Sequence, residues 1–393
     1  MYDVHSIRED FPVLKEVIYL DNAATTQTPV PAVRAMEEYF FRYAANHGRG
    51  AHRLARETTN HYEDARETVA NFLNADVKKT IFTGNATESV NTVARGFPWE
   101  EGDHIIVTLV EHHSNLLPWM RLREHGVDLT IVRPDITGVV DPEDISSAIT
   151  GRTRLIAVTQ VSNVFGSVQD VGRIVKAAHR EDVRVLVDGS QSTGHMPVDI
   201  GSLDPDFFVA PGHKGLLGPQ GTGILYIREP DMIEPMFLGG GMVRAVSDSG
   251  YEIEASPAKF EAGTPNMPGV IGLGRAVEYV KGIGVKKIEK HELMLARDAA
   301  RRLAAIEGVE VYGPTDRSSV VPFNVTGMNA HDVAMILDQT KKICVRSGYH
   351  CAIPGIDFLG VDGTVRASFA LYNTQEEVNK LVETVLNIAA FVA

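Results

Sequence analysis

Apolar and polar positions along the chain alternate between two rhythms. Short apolar runs rich in β-branched and aromatic residues stand at TIFT (80–83), HIIVTLV (104–110), DLTIVRP (128–134), RLIAVTQV (154–161), VRVLVDG (183–189), DFFVA (206–210) and GILYI (223–227). Such runs suit strands covered on both faces. Between several of them lie amphipathic stretches, among them ATESVNTVARGF, NLLPWMRLREHG and GRIVKAAHRED. This β–α alternation predicts a mostly parallel, doubly wound α/β sheet with helices on both faces. Ligands in such sheets bind outside the carboxyl ends of the strands. From about residue 266 the pattern changes to long helical runs, GVIGLGRAVEYVKGIG and VKKIEKHELMLARDAARRLAAIEG. Short strands (VEVYG, VVPFNV, ICVRSG), the helix HDVAMILDQT and a C-terminal amphipathic helix follow. The expected division is a large domain over 20–265 and a smaller α+β domain built from 1–19 and 266–393.

Composition narrows the class. The 393 residues exceed one small core, in keeping with two domains. The formal net charge of −13 argues against a nucleic-acid partner, which usually meets a basic face. No run approaches the roughly 18 apolar residues of a membrane span. MYDVHSIREDF has no apolar h-region, so no signal peptide is expected. The two cysteines, Cys344 and Cys351, are seven positions apart, too close for a structural disulfide to be expected and not in a zinc-site pattern. These features predict a cytoplasmic chain with reduced thiols and no metal centre.

Candidate chemistry gathers where strands end. Lys214 follows DFFVA inside PGHKGLLGPQGTG, a poor place for a solvated surface charge. Asp188 ends the run RVLVD. A lysine able to form a Schiff base with an aldehyde, paired with an acid able to hold a pyridinium nitrogen, is what pyridoxal 5'-phosphate (PLP) requires of a protein. Gly84, Asn85, Ala86 and Thr87 separate a strand from a helix. They form either an ordinary N-cap or a phosphate cup of backbone N–H groups and a hydroxyl. In EHHSN, the adjacent His112 and His113 should point to opposite sides, so that one faces the cleft. Asn163 and Gln191 stand after strands as turn residues or as ligands of a ring hydroxyl or carboxylate. Cys351 lies in the loop GYHCAIPG, with His350 beside it and Arg346 upstream. A positive setting of that kind raises a thiol's thiolate fraction. Arg366 interrupts the apolar run GTVRASFALYN and needs a carboxylate, either structural or from substrate.

These residues sit in a set of motifs that resembles the fold-type I, class V aminotransferase-like PLP enzymes, and within them the SufS-type (group II) cysteine desulfurases. The motifs run almost from end to end: YLDNAATTQTP, RGAHRLA, GNATESVN, VEHHSN, VSNVFG, VDGSQSTGH, GHKGLLGPQGTG, FEAGTPN, VRSGYHCA and VRASFALYNTQEEV. The resemblance implies that Lys214 is the Schiff-base lysine, Asp188 the pyridinium partner, Gln191 the neighbour of the ring hydroxyl and His112 the stacking histidine. It makes Thr87 and His213 phosphate ligands, and Thr264 the phosphate ligand reaching the other subunit of a homodimer. Asn163 and Arg366 become the substrate-carboxylate site, and Cys351 the nucleophile that takes sulfur from L-cysteine for a sulfur-acceptor protein, with L-selenocysteine as the other substrate open. Iron–sulfur cluster assembly, thio-modification and selenium metabolism are the pathways open to that sulfur. A PLP-dependent cysteine or selenocysteine lyase and a class V aminotransferase are the alternatives; neither requires Cys351. Two positions depart from the family. Pro211 replaces the Ser or Thr two residues before the histidine of GHK, and Tyr349–His350 replaces a double histidine before the cysteine.

Overall fold

The computed structural model describes residues 2–48 and 50–392; Arg49, which opens RGAHRLA, lies outside the described residues. The larger sheet is built from β1 (Thr80–Thr83), β2 (His104–Thr108), β3 (Asp128–Val132), β4 (Thr153–Thr159), β5 (Arg184–Asp188), β6 (Phe207–Pro211) and β7 (Gly223–Ile227). Its seven strands lie in the order β1-β7-β6-β5-β4-β2-β3. All neighbours are parallel except β7, which runs against β1 and β6. Every residue of β2, β6 and β7 is buried, because helices cover both faces. This explains the unbroken apolar runs in the sequence.

The helices that position the site are α1 (Val30–Glu38), α2 (Arg53–Phe72), α3 (Ala86–Gly96), α4 (Val171–Arg180), α5 (Met267–Ile283), α6 (Val285–Leu303), α7 (Ala330–Lys341) and α8 (Gln375–Val392). In α4 the buried positions are Val171, Ile174, Val175 and Ala178, an i, i+3, i+4, i+7 stripe. The Asp170 side chain caps this helix by accepting from Arg173 N–H.

The smaller sheet comprises β8 (Val309–Val311), β9 (Val320–Val325), β10 (Arg346–Gly348) and β11 (Thr364–Ser368), antiparallel in the order β8-β9-β11-β10. Its core draws on α6, α7 and α8 and also on Ile18 and Leu20. Ile18 and Tyr19 pair in parallel with Ile343 and Cys344, which ties the start of the chain to this layer.

Three details differ from the sequence pattern. The expected boundary at 266 falls before α5, yet Val270, Leu273 and Val277 of that helix join the core of the larger sheet. β11 was hidden in the sequence by Arg366 at its centre. Val243–Ser247 and Gly250–Ile253 form an antiparallel hairpin that is exposed on nearly every residue, so no hydrophobic alternation announces it.

One buried ion pair fixes the loop that follows this hairpin. Arg66 of α2, 1% exposed, meets Glu261 with its NH1 at 2.6 Å and its NH2 at 2.8 Å. The same carboxylate accepts Phe82 N–H of β1 at 2.7 Å and the Tyr62 hydroxyl at 3.1 Å. Glu261 thus joins the strand leading to Thr87 with the loop carrying Thr264. Arg66 keeps a second carboxylate, Glu63, at 2.9 Å, so Glu261→Ala leaves the guanidinium half-paired and takes the acceptor from Phe82 N–H; it should lower stability by about 1.5–3 kcal/mol. Chemical denaturation against the wild type measures this, and a loss under ~1 kcal/mol, the range of a surface pair, would contradict it.

Candidate active site

The cleft lies where the carboxyl ends of the larger sheet face the smaller one, and holds about 200 Å³. Of the residues singled out in the sequence, Ala86, Thr87, His112, Asn163, Asp188, His213, Lys214, Arg346, Cys351 and Arg366 all line it. Gln191 and Thr264 do not. Gln191 donates its amide to the Ala23 carbonyl at 2.8 Å, behind the wall that Ala23 forms. Thr264 is exposed on its loop in the single chain.

Lys214 leaves β6 through Pro211, Gly212 and His213. The Thr26 hydroxyl holds its carbonyl at 2.7 Å. Burial pushes the Lys214 ammonium down to about 8; Asp188 opposes this shift and Arg366 adds to it. Asp188, 3% exposed at the end of β5, accepts Ser190 N–H at 2.8 Å. Burial raises its carboxyl, while Ser190 and Lys214 pull it back.

The helix start at α3 combines both readings open in the sequence. The Asn85 side chain caps Glu88 N–H at 3.0 Å. The N–H groups of Ala86 and Thr87 in the same first turn lie beyond this cap and suit an anion. The Thr87 hydroxyl meets Ser114 Oγ at 2.6 Å, and Ser114 Oγ lies 3.0 Å from His112 Nδ1. Because Nδ1 also accepts Ser114 N–H at 3.1 Å, the proton of the neutral ring sits on Nε2. Burial, reinforced by Lys214, pushes His112 down to about 3, so the ring is neutral at physiological pH.

The histidine pair divides as side-chain alternation suggests. The His113 ring turns away from its neighbour and accepts Ile353 N–H on Nε2 at 3.1 Å, while the His113 backbone N–H donates to the Cys351 carbonyl at 2.7 Å. Behind the pair, Glu111 is fully buried and accepts from Thr108, Thr159 N–H and Asn115 at 2.6, 2.9 and 2.6 Å. Burial still pushes its carboxyl up to about 8. Glu111 stands within the motif VEHHSN, and nothing in its spacing signals an internal acid.

The smaller sheet brings the remaining residues. Arg346 and Arg366 are register partners on β10 and β11. Arg366, 2% exposed, donates to Asp21 at 3.2 Å and to the Asn163 carbonyl at 3.0 Å, leaving Nε without a partner. It is therefore a structural ion pair that still has a donor to spare. Asn163 donates its amide to the His350 carbonyl at 2.7 Å.

Cys351 is exposed, and both it and His350 have left-handed backbone, φ 56° and 52°. The expectation that His350 adds positive charge beside the thiol is corrected here. Its ring is buried and bonded to the Thr364 hydroxyl at 2.8 Å, and burial with Arg366 and Arg346 pushes it down to about 2. The cations around the loop are the arginines. Cys344 is half-buried on its short strand, and burial raises its thiol.

These residues fit a phosphorylated pyridine aldehyde. His213 Nδ1 is buried without a partner beside the α3 N-terminus, a donor set suited to phosphate. Asp188 is a desolvated acid at the far end, and Lys214 is an amine whose proton is easily lost. Pro211 lines the same wall with neither N–H nor hydroxyl to give.

The description "Aminotransferase class-V" matches residues 18–381. A protein of Methanothermobacter thermautotrophicus called "Probable cysteine desulfurase" is 49% identical over 98% of this chain and 97% of its own. The apo structure of cysteine desulfurase from Thermococcus onnurineus NA1 superposes with a TM-score of 0.95 at 43% identity, covering 98% of both chains. A cysteine desulfurase structure from Escherichia coli has a TM-score of 0.93 at 36% identity over the full length of both.

The depressed Lys214 gives a direct test in the cofactor-free protein. Its reactivity toward an amine-acylating reagent should rise with a midpoint near pH 8 instead of the ordinary 10.5. Asp188→Asn removes a charge that favours the ammonium and should move the midpoint lower still. Competitive labelling with peptide mass spectrometry reads both, and a midpoint above pH 10 in the wild type would contradict the desolvated placement.

Proposed function

The chain belongs to the class-V aminotransferase family and is a cysteine desulfurase, and from that premise we propose how its cleft turns L-cysteine into L-alanine with PLP as cofactor. The observation that carries the proposal is the meeting of Lys214, Asp188 and Cys351 in one cleft, each delivered by a different element.

PLP would be held by the Ala86 and Thr87 N–H groups, the Thr87 hydroxyl and His213 at its phosphate, by Asp188 at its ring nitrogen and by His112 at its ring. Gln191, expected beside the ring hydroxyl, would act only through the Ala23 carbonyl that its amide holds. When bound, PLP supplies an electron sink that acidifies the Cα–H of the amino acid. Arg366 and Asn163 orient the substrate carboxylate, with Arg346 adding charge at the mouth. Lys214, with its lowered proton affinity, accepts the Cα proton and returns it to carbon. The neutral His112, its proton on Nε2, serves as the second donor.

Cys351 supplies the nucleophile. Its thiolate Sγ forms a bond to the substrate sulfur as the substrate Cβ–S bond breaks. The electron pair of that bond goes to carbon, which takes up a proton to give L-alanine. Sulfur remains on Cys351 as a persulfide, so thiol plus L-cysteine becomes persulfide plus L-alanine. The exposed position of Cys351 suits transfer of that sulfur to an acceptor protein, with iron–sulfur cluster assembly as its use. Two unpaired thiols suit the cytoplasm. Among the described residues no helix is long and apolar enough to cross a membrane.

The working unit is a two-fold homodimer in which Thr264 completes the phosphate site of the partner. Three features support this reading: Thr264 is exposed, its loop is braced by Glu261, and large apolar side chains remain exposed at Phe40, Phe41, Phe237 and Leu238. Two-fold symmetry makes the contact reciprocal. Pro211 increases the need for it, since the local cup lacks a donor there.

Incubation with L-cysteine tests the reaction. Cys351→Ala should keep bound PLP but form neither persulfide nor alanine, whereas Cys344→Ala should be near neutral. Pyruvate with sulfide in place of alanine, or undiminished alanine from Cys351→Ala, would overturn the desulfurase mechanism.

Thr264→Val should lower PLP retention at both sites of a folded dimer, read by cofactor absorbance after gel filtration. A PLP-saturated, fully active monomer by light scattering would refute the shared site.

A further inference from the structure

Behind the cleft, a second cavity of about 330 Å³ opens between the cores of the two sheets. The turn after β5 contributes Gln191 and His195, α6 contributes Glu289 and Glu292, and the loop before β9 contributes Arg317 and Ser318. Three of its lining residues carry a buried polar atom without a hydrogen-bond partner: Arg317 Nε, Ser318 Oγ and His195 Nε2. Arg317 is 5% exposed, and the groups its guanidinium meets are the carbonyls of Tyr312 and Gly313 at 3.0 and 3.5 Å. The acid next to it in sequence, Asp316, pairs with Arg297 instead. Burial lowers Arg317 to about 10, as expected of a desolvated cation without a counter-ion. Carboxylates stand on the other element. Glu292, 2% exposed, holds His195 Nδ1 at 2.9 Å, and burial raises the carboxyl of Glu289. The cavity therefore joins an unneutralised buried cation with two carboxylates of α6, while Arg297 of the same helix face is taken up by Asp316. A bare anion would satisfy the first and be repelled by the second.

We propose that this cavity binds a free α-amino acid, its carboxylate on Arg317 and Ser318 and its ammonium toward Glu289 and the His195–Glu292 pair. The site is connected to the cleft. Gln191 lines this cavity and bonds to the Ala23 carbonyl in the cleft wall. The His195 ring packs on Gly215, the residue after Lys214, so closely that a Cβ there would lie 2.6 Å from its Cδ2. The amino acids the enzyme itself handles are its substrate and its product. Their choice as probes rests on the desulfurase reading, whereas the site does not.

Equilibrium dialysis of the holoenzyme with labelled L-alanine tests the proposal. Two binding events per chain are expected, one weakened by Arg366→Lys and the other untouched by it. The second should weaken about tenfold or more in Arg317→Met, the scale of one lost charge-assisted contact. Ser318→Ala should weaken it too, and Leu293→Phe, which fills the cavity and leaves the cation in place, should block it. These two variants decide the matter if Arg317→Met fails to fold. L-cysteine offered to the Cys351→Ala holoenzyme shows, by its affinity relative to L-alanine, whether substrate or product is the better occupant. A single event lost in Arg366→Lys and unchanged in the three cavity variants would overturn the proposal. So would displacement of L-alanine from the cavity by inorganic phosphate at equal affinity, since that would mark a plain anion site.

Discussion

Desolvation of one ammonium group organises this molecule. Lys214 is held at the carboxyl end of β6, where burial lowers its proton affinity to about 8. An isolated charge there would be costly, and the fold meets it with acids placed from elsewhere: Asp188 from the neighbouring strand and Asp21 from the segment that pairs with the smaller sheet. Arg366 then shares Asp21, at 3.2 Å, and reaches back to the Asn163 carbonyl at 3.0 Å. The two sheets are joined at the cleft by the same charges that prepare it for chemistry.

This arrangement divides labour between the layers. The larger sheet supplies groups whose positions are fixed by strand ends and one helix start: Ala86 and Thr87, His112, Asp188, His213 and Lys214. The smaller sheet supplies Arg346, Cys351 and Arg366. Cys351 stands on the part of the cleft with two successive left-handed non-glycine residues, pinned through its carbonyl to the His113 backbone N–H. Side chains fixed by strand ends and a helix start are thereby combined with an exposed thiol in one cleft.

Much of this was legible in the sequence because the physics behind it is local. Strands buried on both faces appear as apolar runs, and TIFT and GILYI match β1 and β7 residue for residue. Most candidates that line the cleft were visible because they follow those runs. What stayed hidden depends on long-range packing. Glu111 and Glu292 look like ordinary polar positions until the fold buries them. α5 has the composition of a helix belonging to either layer, and only its packing assigns it to the larger core. His350 seemed a source of positive charge because sequence adjacency says nothing of the Thr364 hydroxyl that receives its ring.

The central claim is that Lys214, facing Asp188, is the amine that binds the cofactor. Borohydride reduction of the holoenzyme followed by peptide mapping tests it most directly. The account predicts a pyridoxyl group on the peptide containing Lys214, absent from Lys214→Ala. The same label on a different lysine of the wild type, or its persistence in Lys214→Ala, would contradict it.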